Sequence, residues 1–132
     1  MRKIAVTLSV ILLLISNICF AASTEYLYTD ALGTEVNLVT ESVRPITYKI
    51  RDCYKATKKL VFNKPMGNIK YSQMYYLINK ENKDYAVVYI ENYDVNDKRV
   101  SSTDKGKNIH WSVYDPTDNN YKLVDRVFEI AK

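Results

Sequence analysis

Along Tyr85–Tyr93 (YAVVYIENY), both alternating sets of side chains are apolar for most of the run. Ala86, Val88 and Ile90 would point one way, and Tyr85, Val87, Tyr89 and Tyr93 the other. A strand with one wet face would alternate apolar with polar, so this pattern predicts a mid-sheet strand that needs cover on both sides. Ile69–Asn79 has the same character, with Ile69, Tyr71, Tyr75 and Leu77 on one parity and Met74, Tyr76 and Ile78 on the other. The polar run Lys80–Lys83 between them predicts a hairpin. Setting Asn79 against Asp84 places Ile78 opposite Tyr85, Tyr76 opposite Val87 and Met74 opposite Tyr89, with Leu77–Ala86 and Tyr75–Val88 on the reverse side.

Upstream, the period changes. Val43, Ile46, Ile50, Cys53, Thr57 and Leu60 recur at steps of three and four, with charged residues between them, which predicts one long amphipathic helix from about Thr40. Thr40 or Ser42 would cap it, Pro45 would fall in its first turn, and Asn63–Gly67 would end it. Before the helix, Asp30–Gly33 reads as a turn, and Glu35–Val39 as either an edge strand or a lead-in to the helix. After the hairpin, Asp94–Lys107 is a polar loop. Asn108–Tyr114 and Tyr121–Ile130 read as two further strands joined by the turn formers Asp115–Asn120. The expected fold class is therefore α+β, with one long N-terminal helix packed on a curved antiparallel sheet of four, or with Glu35–Val39 five, strands.

The first residues change the compartment. Arg2 and Lys3 precede an apolar run, Ile4–Ile15, and then Cys19-Phe20-Ala21-Ala22, the pattern of an export leader cleaved after Ala21. Ser16 and Asn17 interrupt the run, which is short for a span needing about 20 apolar residues, so no stable membrane span is expected after cleavage. The domain organisation is then a signal peptide, 1–21, and a single domain, 22–132, in the periplasm or outside the cell. Loss of Arg2 and Lys3 lowers the formal net charge from +4 to +2, too mild a balance for general affinity to nucleic acid. Cys53 is the one thiol left after cleavage. It predicts either a buried small hydrophobe or an intermolecular bridge, and no intrachain disulfide.

Catalytic and metal-binding patterns are weak. His110 is the sole histidine, so neither a common zinc site nor a convincing Cys–His nucleophile pair with Cys53 can be assembled. Asp94–Arg99 begins like a calcium loop, but Lys98 stands at a ligand position and no glycine follows at the sixth. Gly33, Gly67 and Gly106 are too scattered for a phosphate-binding loop. No enzyme activity, metal or cofactor is expected.

Tyrosine is the unusual component, with twelve against one tryptophan and three phenylalanines. A large apolar ring with one polar tip suits a half-wet sheet face, a small core or the wall of a ligand cavity. The segment Trp111–Glu129 (WSVYDPTDNNYKLVDRVFE), through Trp111, Val113, Tyr121, Leu123, Asp125 and Val127, resembles the last hairpin of exported domains with the cystatin-like or nuclear-transport-factor-2-like fold. It is also similar to that hairpin in the toluene-tolerance family of periplasmic phospholipid carriers. The resemblance implies a helix on a curved sheet and an apolar or amphipathic ligand; it carries over no catalytic residue.

The expected function is a non-enzymatic exported binding domain. Tyr76, Tyr85 and Tyr89 would line an aromatic concave face for a small apolar or amphipathic ligand, and Trp111 would close one end. The alternative is a protein-interaction module, of inhibitor or immunity type, that acts through the sheet face and the 94–107 loop, or pairs as a homodimer.

Overall fold

The computed structural model describes residues 23–132; the leader expected in residues 1–21 lies outside the described residues. Six strands follow one another in an antiparallel meander: β1 (Thr24–Thr29), β2 (Glu35–Tyr48), β3 (Arg51–Met66), β4 (Ile69–Asn79), β5 (Tyr85–Tyr93) and β6 (Arg99–Asp104). The one helix among the described residues, α1 (Asn120–Ile130), follows near the C-terminus.

This overturns the expected fold class. The predicted long N-terminal helix does not form; its residues make β2 and β3, which pair from Glu35↔Val61 to Tyr48↔Arg51 across a two-residue turn, Lys49–Ile50. The turn is hidden because it contains none of the residues that normally mark one. Lys49 adopts φ 54°, a left-handed conformation usually left to glycine or asparagine. Pro45 is tolerated because β1 pairs with β2 only as far as Val39, so Pro45 sits where β2 is an edge strand. The three- and four-residue spacing arose from a strand buried on both faces: Ala56 and Lys58 on one side, Cys53 and Thr57 on the other, are all buried.

The C-terminal expectation inverts in the same way. Tyr121–Ile130, read as a strand, is helical, and Asn108–Tyr114 forms no strand beyond one bridge between Ser112 and Tyr85. Leu123, Val124 and Val127 fall on one helical stripe and are fully buried, while Lys122, Asp125, Arg126 and Glu129 take the wetter sides. The polar connection expected over Asp94–Lys107 contains β6, whose six residues are all exposed.

Helix α1 lies over β2 and β3 and covers one face of the sheet. Its stripe meets Leu38 from β2, Ala56 from β3, and Tyr76 and Ile78 from β4; this is the core. Phe128 sets its ring edge against Tyr54 at 5.2 Å. Polar ties fix the helix at two corners. Arg126 donates from Nε and Nη2 to the two carboxylate oxygens of Glu25 on β1, at 2.6 and 2.9 Å. Asp125 accepts from Lys83 Nζ at 3.0 Å and from the Tyr114 hydroxyl.

The predicted β4–β5 hairpin is present. Ile78↔Tyr85, Leu77↔Ala86 and Tyr76↔Val87 pair as expected; then β5 inserts one extra residue, and Tyr75 pairs with Tyr89 and Met74 with Ile90. This bulge at Val88 sends Tyr89 and Tyr93 to the face opposite Tyr85 and Val87.

Because Leu123 is the largest side chain that α1 buries fully, Leu123→Ala should cost about 2–4 kcal/mol of stability. Urea denaturation at equilibrium measures it, and Arg126→Ala should produce the smaller loss of the two.

Candidate functional site

The face of the sheet turned away from α1 is called here the outer face. It carries Val39, Ile46, Cys53, Lys55, Thr57, Leu77, Tyr75, Ala86 and Tyr89, as the pairings Ile46↔Cys53, Lys55↔Leu77, Thr57↔Tyr75 and Tyr75↔Tyr89 require. No helix among the described residues covers it, yet Cys53 and Ala86 are fully buried there. The chain after β6 provides the cover at one end. Lys105 N donates to Val88 O at 2.9 Å, and Ser112 exchanges two backbone hydrogen bonds with Tyr85. Between them Trp111 reaches over to the β2–β3 turn, with its ring 4.7 Å from the Arg51 guanidinium and 6.4 Å from the Tyr48 ring.

Mid-face, the cover stops and a groove of about 450 Å³ opens, lined chiefly by apolar side chains: Ile46, Leu77, Val88, Tyr75 and Tyr89, with Glu41, Ser42, Arg44 and Lys55 at its β2–β3 side. Two irregularities in the ladder make it. The Val88 bulge turns Tyr89 into the wall, where its ring stands 5.6 Å from that of Tyr75. On β2 the chain takes five steps from Val39 to Arg44 while β3 takes two, from Thr57 to Lys55. The Ser42 hydroxyl repairs the interrupted ladder by accepting from Thr57 N at 2.7 Å and donating to Val39 O at 2.6 Å. The far wall is held by Glu91, which accepts from the Tyr75 hydroxyl at 2.6 Å and from Arg99 at 3.3 Å. Burial raises the Glu91 carboxyl, but the hydrogen bonds from Tyr75, Arg99 and Tyr93 outweigh it and leave the group below its ordinary range. The Tyr75 phenol is pushed well above its ordinary value, first by burial and then by that carboxylate.

The four residues singled out from sequence are not brought together. Tyr89 lines the groove. Tyr76 borders it, but its ring lies on the helix face, 6.2 Å from Tyr85 and beneath Lys58. Tyr85 belongs wholly to that inner side and accepts from Asn120 Nδ2 at the start of α1. Trp111 lines a neighbouring cleft with Tyr48, Ile50 and Ile109. The sequence reading missed Ile46, Arg44 and Lys55 because it placed their segment in a helix, and it missed Val88 as a wall residue because a bulge leaves no mark on an apolar run.

The other chemistry-bearing residues have structural occupations. Cys53 is buried, as one of its two readings expects, but on β3 rather than a helix. Burial pushes its thiol up, which makes it inert as a nucleophile. His110 is exposed. Asp94 Oδ1 accepts from the backbone of Asn96 and Lys98, closing an Asx turn. Lys58, buried on the helix face, is the exception to good solvation: its ammonium sits 4.9 Å above the Tyr76 ring, and burial lowers its pKa to about 8 despite the pull of Asp118. Among the described residues, no group of three or more His, Cys, Asp or Glu could hold a metal ion.

Two stability measurements test this geometry. Ser42→Ala leaves the amide of buried Thr57 without its acceptor and should cost about 1–3 kcal/mol by chemical denaturation. For Lys58, the folded pKa lies below the unfolded one, so the unfolded chain binds more protons between pH 8 and about pH 10.5, and stability from this group rises across that window. Lys58→Met should therefore stabilise the protein at pH 7 and lose much of that advantage by pH 9.5, as read from paired denaturation curves of the variant and the parent.

Searches of protein-family models, curated proteins and solved structures returned no match to this chain.

Proposed function

We propose that this protein is a non-enzymatic exported binding domain that holds a small apolar or amphipathic ligand in the outer-face groove. The observation that carries the reading is the groove itself: an apolar depression of about 450 Å³, within the usual range of ligand sites, on a sheet face that no helix among the described residues covers. Its position on mid-sheet strands gives it rigid walls, since Leu77 and Tyr75 belong to β4, with neighbours paired on both sides. Ile46 remains 38% exposed beside it, a large apolar side chain that a ligand would cover. Export rests on the leader pattern of residues 1–21. A lone, fully buried thiol suits a compartment in which an exposed one would be oxidised.

The reading as a protein-interaction module is favoured by one separate feature, β6. It is an exposed edge strand with no neighbour on its outer side among the described residues, which is the geometry for accepting a strand from a partner.

Nile red, an uncharged apolar dye, tests the groove. The mature domain should bind it with a blue-shifted emission, and Ile46→Asp and Tyr89→Asp should each weaken binding by about tenfold or more while circular dichroism is unchanged. Binding that survives both substitutions rules out this groove. A light-scattering mass twice that of the monomer, lost on substitution within β6, would favour the interaction module.

A further inference from the structure

About half of the cations among the described residues are occupied. Arg126 pairs with Glu25 and Glu129, Arg99 with Glu91, and Lys83 with Asp125. Arg51, Lys58, Lys59, Lys80 and Lys122 each lie over an aromatic ring. Arg44 and Lys55 belong to the other half, with neither a salt bridge nor a ring contact among the described residues, and they alone of that half line the groove. They are also direct partners across the β2–β3 ladder, so both side chains leave the sheet on the same outer face. Like charges directly opposite one another destabilise a sheet. Here that pair sits at the lip of the apolar groove, and both residues line it.

The groove has polarity as a result. It runs across the strands from the Arg44–Lys55 pair, with Ile46 beside Arg44 on β2, over Leu77 on β4, to Val88 and Tyr89 on β5. At the β5 side the nearby carboxylate, Glu91, is already held by Tyr75 and Arg99. At the β2 side the lining carboxylate is Glu41, which accepts from Ser23 Oγ at 3.2 Å and lies beyond salt-bridge distance of both cations. Two unpaired positive charges at one end of a trough with apolar walls match an anionic group attached to a hydrocarbon chain. Arginine adds a planar fork of donors suited to carboxylate or phosphate oxygens.

Resting on the groove reading above, we infer that the ligand is a single-chain anionic amphiphile whose head group bridges Arg44 and Lys55 while its chain lies across Ile46, Leu77, Val88 and Tyr89. The bridging anion removes the cross-strand repulsion, so binding also stiffens the β2–β3 ladder beside the bulge. A neutral or cationic head group gains nothing from the pair, and a cationic one is repelled by it.

Calorimetric titration of the mature domain with four twelve-carbon amphiphiles below their micellar concentrations tests the inference: dodecanoate, dodecyl phosphate, dodecyl maltoside and dodecyltrimethylammonium. The two anions should bind at least about tenfold tighter than the maltoside, and the ammonium weakest, with the anionic advantage shrinking as salt rises. The relative affinity of dodecanoate and dodecyl phosphate distinguishes a carboxylate from a phosphate head. The double variant Arg44→Gln/Lys55→Gln should abolish the preference and leave dodecyl maltoside binding unchanged. Equal affinity for all four heads, or an anionic preference that survives the double substitution, overturns the assignment of the head group. If maltoside binding is lost in Ile46→Asp, the groove stands even then; if no amphiphile binds, or Ile46→Asp changes none of them, the groove reading fails and this inference with it.

Discussion

A meander of long strands with apolar side chains on both faces needs two covers, and the described residues supply one short helix. Eleven residues of α1 bury Leu123, Val124 and Val127 against Leu38, Ala56, Tyr76 and Ile78, and that single contact defines which face becomes the core. Everything on the other face follows from the deficit. The chain after β6 returns over it as far as Trp111, which the Arg51 guanidinium and the Tyr48 ring receive at the β2–β3 end. Where that return path ends, the apolar floor is left open.

The opening is shaped by breaks in the hydrogen-bond ladder. A regular six-stranded meander would present a smooth twisted surface, with no concavity beyond that of the sheet itself. The extra residues of β2 between Val39 and Arg44, and the extra Val88 on β5, raise walls on either side of Leu77 and turn Tyr89 outward. Ser42 makes the larger break tolerable by standing in for a backbone acceptor. The bulges also set the charges: without the shift on β2, Arg44 and Lys55 would not face each other at the groove.

The tyrosines divide between these tasks. Tyr54, Tyr76 and Tyr85 serve the helix face, where they fill space, with Lys80 over the Tyr54 ring and Lys58 over that of Tyr76. Tyr75, Tyr89, Tyr71 and Tyr93 serve the outer face, the last two stacked at 4.9 Å. Burial and Asp97 push the Tyr71 phenol up to about 12. The tyrosines of β3, β4 and β5 thus form two separate sets, divided by the plane of one sheet.

Residues 69–93 determined their own structure: apolar β-branched and aromatic residues on both parities marked the two strands, polar turn residues fixed the hairpin, and the first three pairs of its register could be read directly. The same local rules failed over 40–61 and 121–130, in opposite directions: over 40–61 burial of β3 on two faces erases the period that separates strand from helix, and over 121–130 a single apolar stripe reads as a strand. The Lys49–Ile50 reversal carries no turn residue, and the 123/124/127 stripe means helix only once a sheet lies opposite it. The groove was illegible for a related reason. A bulge depends on how one strand's length accommodates its neighbour's, a property of pairs of strands, so only the assembled sheet decided that Tyr89 would part from Tyr85 and that Arg44 would meet Lys55.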